Sequence, residues 1–150
     1  MLLYAKAVET YKTRRRLSAV NKPRILFAGG GSEQDSRPLD EIFASWVGSK
    51  GRLLYLPVAL VDEPSMQAGI RWVKSVFEPL GLTQIDAWTD LSGKTAQDLQ
   101  SYDGVYIGGG NTFHLLNQVR VHHLDRALVD FIVAGLPCLR RQRRGHFTQP

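Results

Sequence analysis

Three consecutive glycines, Gly108, Gly109 and Gly110, are followed by Asn111 and Thr112, and this is the stretch best suited to chemistry. No side chain there can keep a ligand from the backbone. Asn111 and Thr112 are residues that cap a helix N-terminus, and Val105, Tyr106 and Ile107 before the glycines are β-formers in an unbroken run. A buried strand passing through glycines into a helix aims unpaired N–H groups at one spot beyond the sheet edge. That spot suits an anion or a developing oxyanion. On the glycines alone, a tight turn with no chemistry fits equally well.

Other reactive side chains are weaker candidates. Asp62 and Glu63 are adjacent acids that could hold a cation, yet such pairs on a loop are usually solvated. His122 and His123 lack a spaced third ligand and read as helix-junction residues, so no metal is expected. Ser32, Ser36 and Ser65 fall in expected edge loops, without the Gly-x-Ser-x-Gly spacing of a nucleophile elbow. Cys138 reads as a half-buried thiol with no partnered histidine. Gly29, Gly30 and Gly31 follow a strand-like run but fail the dinucleotide fingerprint, because Gln34 stands where the last glycine belongs. No Gly-Lys-Ser/Thr follows them, so a phosphate loop is excluded too. No cofactor is expected.

These residues need a frame, and the pattern supplies one. Arg24 to Ala28 reads as a first strand. Leu39, Ile42, Phe43, Trp46 and Val47 form a helical stripe, with Pro38 in the expected first turn and Gly48 at the end. Leu53 to Leu60 is a second strand cut at Pro57, so that Val58 to Glu63 forms a loop at the sheet's carboxyl edge. Ser65 opens a helix closed by Gly81. Thr83 to Trp88 is a weaker strand, and Thr95 caps a short helix, Ala96 to Ser101. After the glycine turn a helix runs to about Arg120, with Phe113, Leu115, Leu116 and Val119 as its expected buried stripe. Leu124, Leu128, Phe131 and Ile132 give one more, ended by Gly135. Alternating strands and helices specify an α/β fold: an open, mostly parallel sheet with helices on both faces.

At 150 residues the chain fits one domain, with 43% hydrophobic and 22% charged residues, as in ordinary globular proteins. The net charge of +5 is unevenly placed. Residues 1–22 hold six Lys/Arg and one acid, and residues 138–150 hold four arginines and no acid. Residues 23–137 hold nine basic and thirteen acidic residues, a net −4. The body therefore offers no basic stripe, and nucleic acid is not the expected partner; the tails alone could bind it weakly. One cysteine gives no internal disulfide framework. No apolar run approaches the ~18 residues of a membrane span, and no secretory core precedes Pro23. The expected location is cytoplasmic, and residues 1–22 read as a disordered basic extension.

The string GGGNTFHLL resembles the corresponding segment of the peptidase E family of serine peptidases, which includes aspartyl dipeptidases and, more distantly, cyanophycinases. The likeness begins at about Pro23. It implies a fold similar to class I glutamine amidotransferases, of flavodoxin-like type, and a small acidic peptide as substrate. It also implies that Gly110 lends its N–H to an oxyanion hole, with Gly109, Asn111 and Thr112 at the substrate.

After Pro137 the likeness fails. The family pattern expects a buried strand and then Gly-x-Ser-Ala-Gly, whose serine is the nucleophile. Here Cys138, Leu139, Arg140, Arg141 and Gln142 follow, and unpaired arginines do not fit a buried central strand. Residues 138–150 therefore read as an arginine-rich non-family tail. A one-base shift accounts for it: one permitted coding from Pro137 to Phe147, read one base on, spells Val-Tyr-Gly-Gly-Ser-Ala-Gly-Ala-Ile. Its serine falls at the place of Gln142. On this reading the chain carries the first three-fifths of a family domain, residues 23–137, and lacks the nucleophile, its histidine and its acid. It is expected to be inactive, marginally stable for want of strands beyond the central one, and prone to homo-oligomerise through the exposed sheet edge. The alternative is a non-catalytic module that binds a small anion or another subunit.

Overall fold

The computed structural model describes residues 22–30 and 32–142. The N-terminal extension (apart from Lys22) and residues 143–150 lie outside the described residues, and so do the expectations placed on them. Five strands form one sheet: β1 (Ile25–Ala28), β2 (Arg52–Leu56), β3 (Gln84–Ala87), β4 (Gly104–Ile107) and β5 (Cys138–Arg141). The helices are α1 (Glu33–Val47), α2 (Glu63–Phe77), α3 (Ala96–Leu99), α4 (Thr112–Val121) and α5 (Asp125–Val133). The strand order is β1-β5-β4-β2-β3, and every pairing is parallel. No helix among the described residues is long and apolar enough to cross a membrane.

Strand alternation sorts the core into two layers. Leu53, Tyr55, Tyr106 and Leu139 face α1 and α2, where they pack on Phe43, Val47, Val73 and Phe77. Tyr106 is the hub of that layer, with edge contacts to the rings of Phe43, Tyr55 and Phe77 at centroid distances of 6.4, 5.5 and 5.6 Å. On the other face Leu54, Leu56 and Val105 pack against Leu99, Val119, Ala127 and Phe131 from α3, α4 and α5. The chain after β2 thus leaves toward one face and the chain after β4 toward the other. Where two such connections diverge, a crevice opens at the carboxyl ends of the strands.

Several expectations are corrected. The helix placed around Pro38 starts five residues earlier, because Ser32 and Asp35 form a reciprocal capping box; Pro38 lies inside it. The next helix starts before Ser65, since the Asp62 carboxylate accepts the Ser65 N–H at 2.8 Å. That contact accounts for Asp62 as a cap, and hydrogen bonding to Ser65 lowers its carboxyl pKa. Ser32, Ser36 and Ser65 are accordingly helix-cap and first-turn residues rather than loop residues. Phe113 is 86% exposed and Leu116 is exposed too, so the buried stripe of α4 reduces to Val119 with half-buried Leu115.

The largest correction concerns Cys138 to Arg141. They form β5, a central strand between β1 and β4. Only Cys138 and Leu139 are fully buried. Arg140 and Arg141 stand at the carboxyl end, one on each face, and each finds partners there. The premise of unpaired buried charge is what fails. Both sides of β4 are consequently paired, and the edge strands of the sheet are β1 and β3.

Candidate functional site

The loops after β2 and β4 meet at the carboxyl ends of the strands. Gly108 N–H donates to the Leu56 carbonyl at 3.0 Å, and Asn111 N–H donates to the Ala59 carbonyl at 2.8 Å. Between these two ties the chain turns through Gly109 and Gly110. Gly110 has φ +150°, and a Cβ there would lie 2.5 Å from the Ala59 oxygen, so the position admits only glycine. A Cβ on Gly108 would lie 2.7 Å from the Tyr55 hydroxyl. Asn111 caps α4: its Oδ1 accepts the His114 N–H at 3.0 Å. The Gly109 and Gly110 N–H groups have no acceptor among the described residues. All four expected site residues, Gly109, Gly110, Asn111 and Thr112, therefore stand together at the start of α4.

A fifth residue, not anticipated from sequence, joins them. Arg140 Nη1 donates to the Gly108 carbonyl at 2.8 Å and to the Arg141 carbonyl. Its Nη2 reaches Thr112 Oγ1 at 3.5 Å and Gln142 Oε1 at 3.2 Å. Burial lowers the pKa of this guanidinium, which still carries its charge. Gln142 follows β5 directly, and its N–H donates to the Ala28 carbonyl at 2.9 Å. A cation thus bridges the glycine turn and the exit of the central strand.

On the other face lies a second polar group that the sequence hides. Ser36 Oγ and Asp40 Oδ2 are 2.9 Å apart, and Arg141 Nη1 donates to Ser36 Oγ at 3.0 Å. The Arg141 guanidinium also stacks on Trp72, 4.4 Å from its centroid. Asp40 Oδ1 and the Tyr106 hydroxyl are buried without a hydrogen-bond partner of good geometry among the described residues. Burial raises the pKa of both groups, outweighing the nearby Arg141 charge. Ser36 is engaged and closed from solvent, which disqualifies it as a nucleophile. The Ser36–Asp40 spacing of four on one helix is a sequence signal for such a contact. Arg141, more than a hundred residues away, is not.

The remaining candidates sit apart from the turn or are inert. Cys138 is fully rather than half buried, and burial pushes its thiol up to about 12. His122 caps the C-terminus of α4 and His123 adopts φ 57° at the junction with α5. Among the described residues no three His, Cys, Asp or Glu side chains group as metal ligands.

Comparison with known proteins adds a lineage to this geometry. The family model for Peptidase family S51 matches residues 25–139. An uncharacterized peptidase of Listeria monocytogenes is 32% identical over 109 residues, covering 69% of this chain and 51% of the relative. A peptidase E of Streptomyces coelicolor is 32% identical over 91 residues, covering 57% and 33%. The chain thus spans about half the length, or less, of the curated relatives it matches. Among solved structures, a protein assigned as peptidase E from Listeria monocytogenes superposes with a TM-score of 0.59 at 24% identity, over 77% of this chain and 57% of that one. A peptidase from an acI-B1 actinobacterium superposes with a TM-score of 0.64 at 12% identity, over 81% and 55%. Both likenesses speak to the fold.

Proposed function

The chain belongs to peptidase family S51, and from that premise we propose that it carries the charge-stabilising side of a peptidase E-like serine peptidase site without the attacking group. In the complete reaction a serine oxygen adds to the carbonyl carbon of a small acidic peptide, of aspartyl dipeptidase type. The serine proton passes to the family's histidine, and the carbonyl π pair moves onto oxygen, where the Gly110 N–H donates to the oxyanion. Collapse hands that proton to the departing amine, leaving an acyl-serine that water hydrolyses to free the serine. Gly109 leaves room for the substrate, and Asn111 and Thr112 border it. The single observation that carries the inactivity is Gln142 at the exit of β5, beside the glycine turn. An amide there cannot attack, and Arg140 occupies the space between. A one-base frame shift after Pro137 explains why serine is absent from that position.

A fluorophosphonate probe tests this reading. We expect no covalent labelling of the purified chain; a labelled serine overturns the proposal. Turnover of aspartyl dipeptides gained on restoring the shifted frame supports the lineage, and a gene whose codons after Pro137 cannot spell serine there removes the frame-shift explanation. A second, non-catalytic reading is favoured by Arg140 itself, which places positive charge on the glycine turn, where two N–H groups have no acceptor among the described residues. Aspartate binding that is abolished by Arg140→Ala would support it, and binding that ignores the substitution would reject it.

A further inference from the structure

We propose that the free edge of β1 joins a second copy of this chain, strand to strand and antiparallel. Independently of the peptidase reading, the two edges of the sheet differ in how they are guarded. The β3 edge is protected: Asp86 is paired with Arg52 at 2.7 Å and accepts the Tyr102 hydroxyl at 3.0 Å, and Gln84 is exposed beside it. Charged and polar side chains of this kind discourage edge pairing. Among the described residues the β1 edge has no such device. Its sequence is Ile25-Leu26-Phe27-Ala28, without proline or charge. The neighbouring cation, Arg24, is turned back, with Nε donating to the Gly135 carbonyl at 2.9 Å and the guanidinium over Trp46.

The backbone of β1 is set up for pairing. Cys138 N–H and Gln142 N–H donate to the carbonyls of Arg24 and Ala28, so alternate residues Arg24, Leu26 and Ala28 direct their polar groups at β5. Ile25 and Phe27 therefore direct theirs outward, away from the sheet. The same two residues present apolar side chains on the face shared with Val105 and Cys138. The helices on that face cover β2 and β4 but leave β1 bare: Phe27 is 75% exposed and Ile25 is 38% exposed.

These features are self-complementary about a two-fold axis normal to the sheet. With Leu26 opposite the copy's Leu26, each Ile25 faces a Phe27 of the other chain. Both such pairs are of the hydrogen-bonded type, and the four apolar side chains cluster on one face. A register one residue away would bring inward-directed groups opposite outward-directed ones, and two residues away would set Ile25 against Gly29. Isologous contact of one patch with itself closes at the dimer. A four-residue edge buries little surface, so the dimer is a weak one.

Sedimentation equilibrium of the whole chain from about 1 to 300 μM, the range in which small interfaces associate, provides the test. We expect a monomer–dimer equilibrium, a more than tenfold weaker association for Phe27→Lys, and no change for Gln84→Lys at the opposite edge. A monomer throughout, open-ended assembly, or a dimer indifferent to Phe27→Lys would overturn the inference. Amide hydrogen exchange keeps it testable should Phe27→Lys fail to fold. In the wild type the Ile25 and Phe27 amides should exchange more slowly at high concentration; concentration-independent exchange overturns the proposal.

Discussion

Leu139→Ala asks whether the arginine-bearing segment is a strand of the sheet or an appendage to it. Leu139 is completely buried, in register with Leu26 on one side and Tyr106 on the other. Truncation removes three carbons, worth about 2.4 kcal/mol at ~0.8 per methylene. The rigid surroundings of α1 and the Tyr106 ring cannot collapse fully, and the unfilled space raises the cost to about 3–4 kcal/mol. That is a large part of the ~5–15 kcal/mol expected for a domain. Urea unfolding followed by the fluorescence of Trp46, Trp72 and Trp88 should show the midpoint fall by roughly 1.5–2 M, given an m-value of about 2 kcal/mol/M. Phe27→Ala, on the exposed face, should stay within about 0.5 kcal/mol when measured well below the dimer range. A Leu139→Ala cost no larger than that would refute the central placement of β5.

Three further outcomes rest on particular contacts. Burial holds the Asp40 carboxyl above its ordinary range, so the folded chain retains a proton that the unfolded chain releases as pH rises. The stability contributed by this group is present at low pH and lost as pH climbs through the folded-state pKa. The melting temperature of Asp40→Asn relative to wild type should therefore rise between pH 4 and pH 8, and a constant difference would contradict the assignment. Gly110→Ala forces a positive φ on alanine and a Cβ against the Ala59 carbonyl, and should cost about 2 kcal/mol or more; a chemical melt unchanged by it would show that the turn is built otherwise. Cys138, buried and with its thiol pushed up to about 12, should react with Ellman's reagent only as fast as the chain opens. Stoichiometric reaction within seconds under native conditions would place the thiol at the surface.

Much of the frame was legible because short strands buried on both faces leave a plain signature. Leu53 to Leu56 and Val105 to Ile107 are uninterrupted β-formers bounded by turn residues, and both are strands. The glycine turn was legible for a related reason, since its backbone conformation leaves no room for a side chain at Gly110. Elsewhere a correct local rule met a tertiary exception. Two arginines argue against a central strand only if they fall in its buried middle. Arg140 and Arg141 fall at its end, where the Gly108 carbonyl, Ser36 and Trp72 receive them. Phe113 has the spacing of a buried stripe, yet it lies in the first turn of α4 and is exposed. The start of α1 was spelled by Ser32 and Asp35, a capping signal masked by the stronger expectation attached to Pro38. The Ser36–Asp40–Arg141 group joins residues from opposite ends of the described chain, and no local pattern announces it.

The proposed function reads the glycine turn as an oxyanion cradle with no nucleophile beside it among the described residues. Incubating the purified chain with an aspartyl dipeptide and measuring free aspartate tests this most directly. No release above the uncatalysed background is the predicted result. Release that scales with the concentration of the chain and is lost in Gly110→Ala would contradict it.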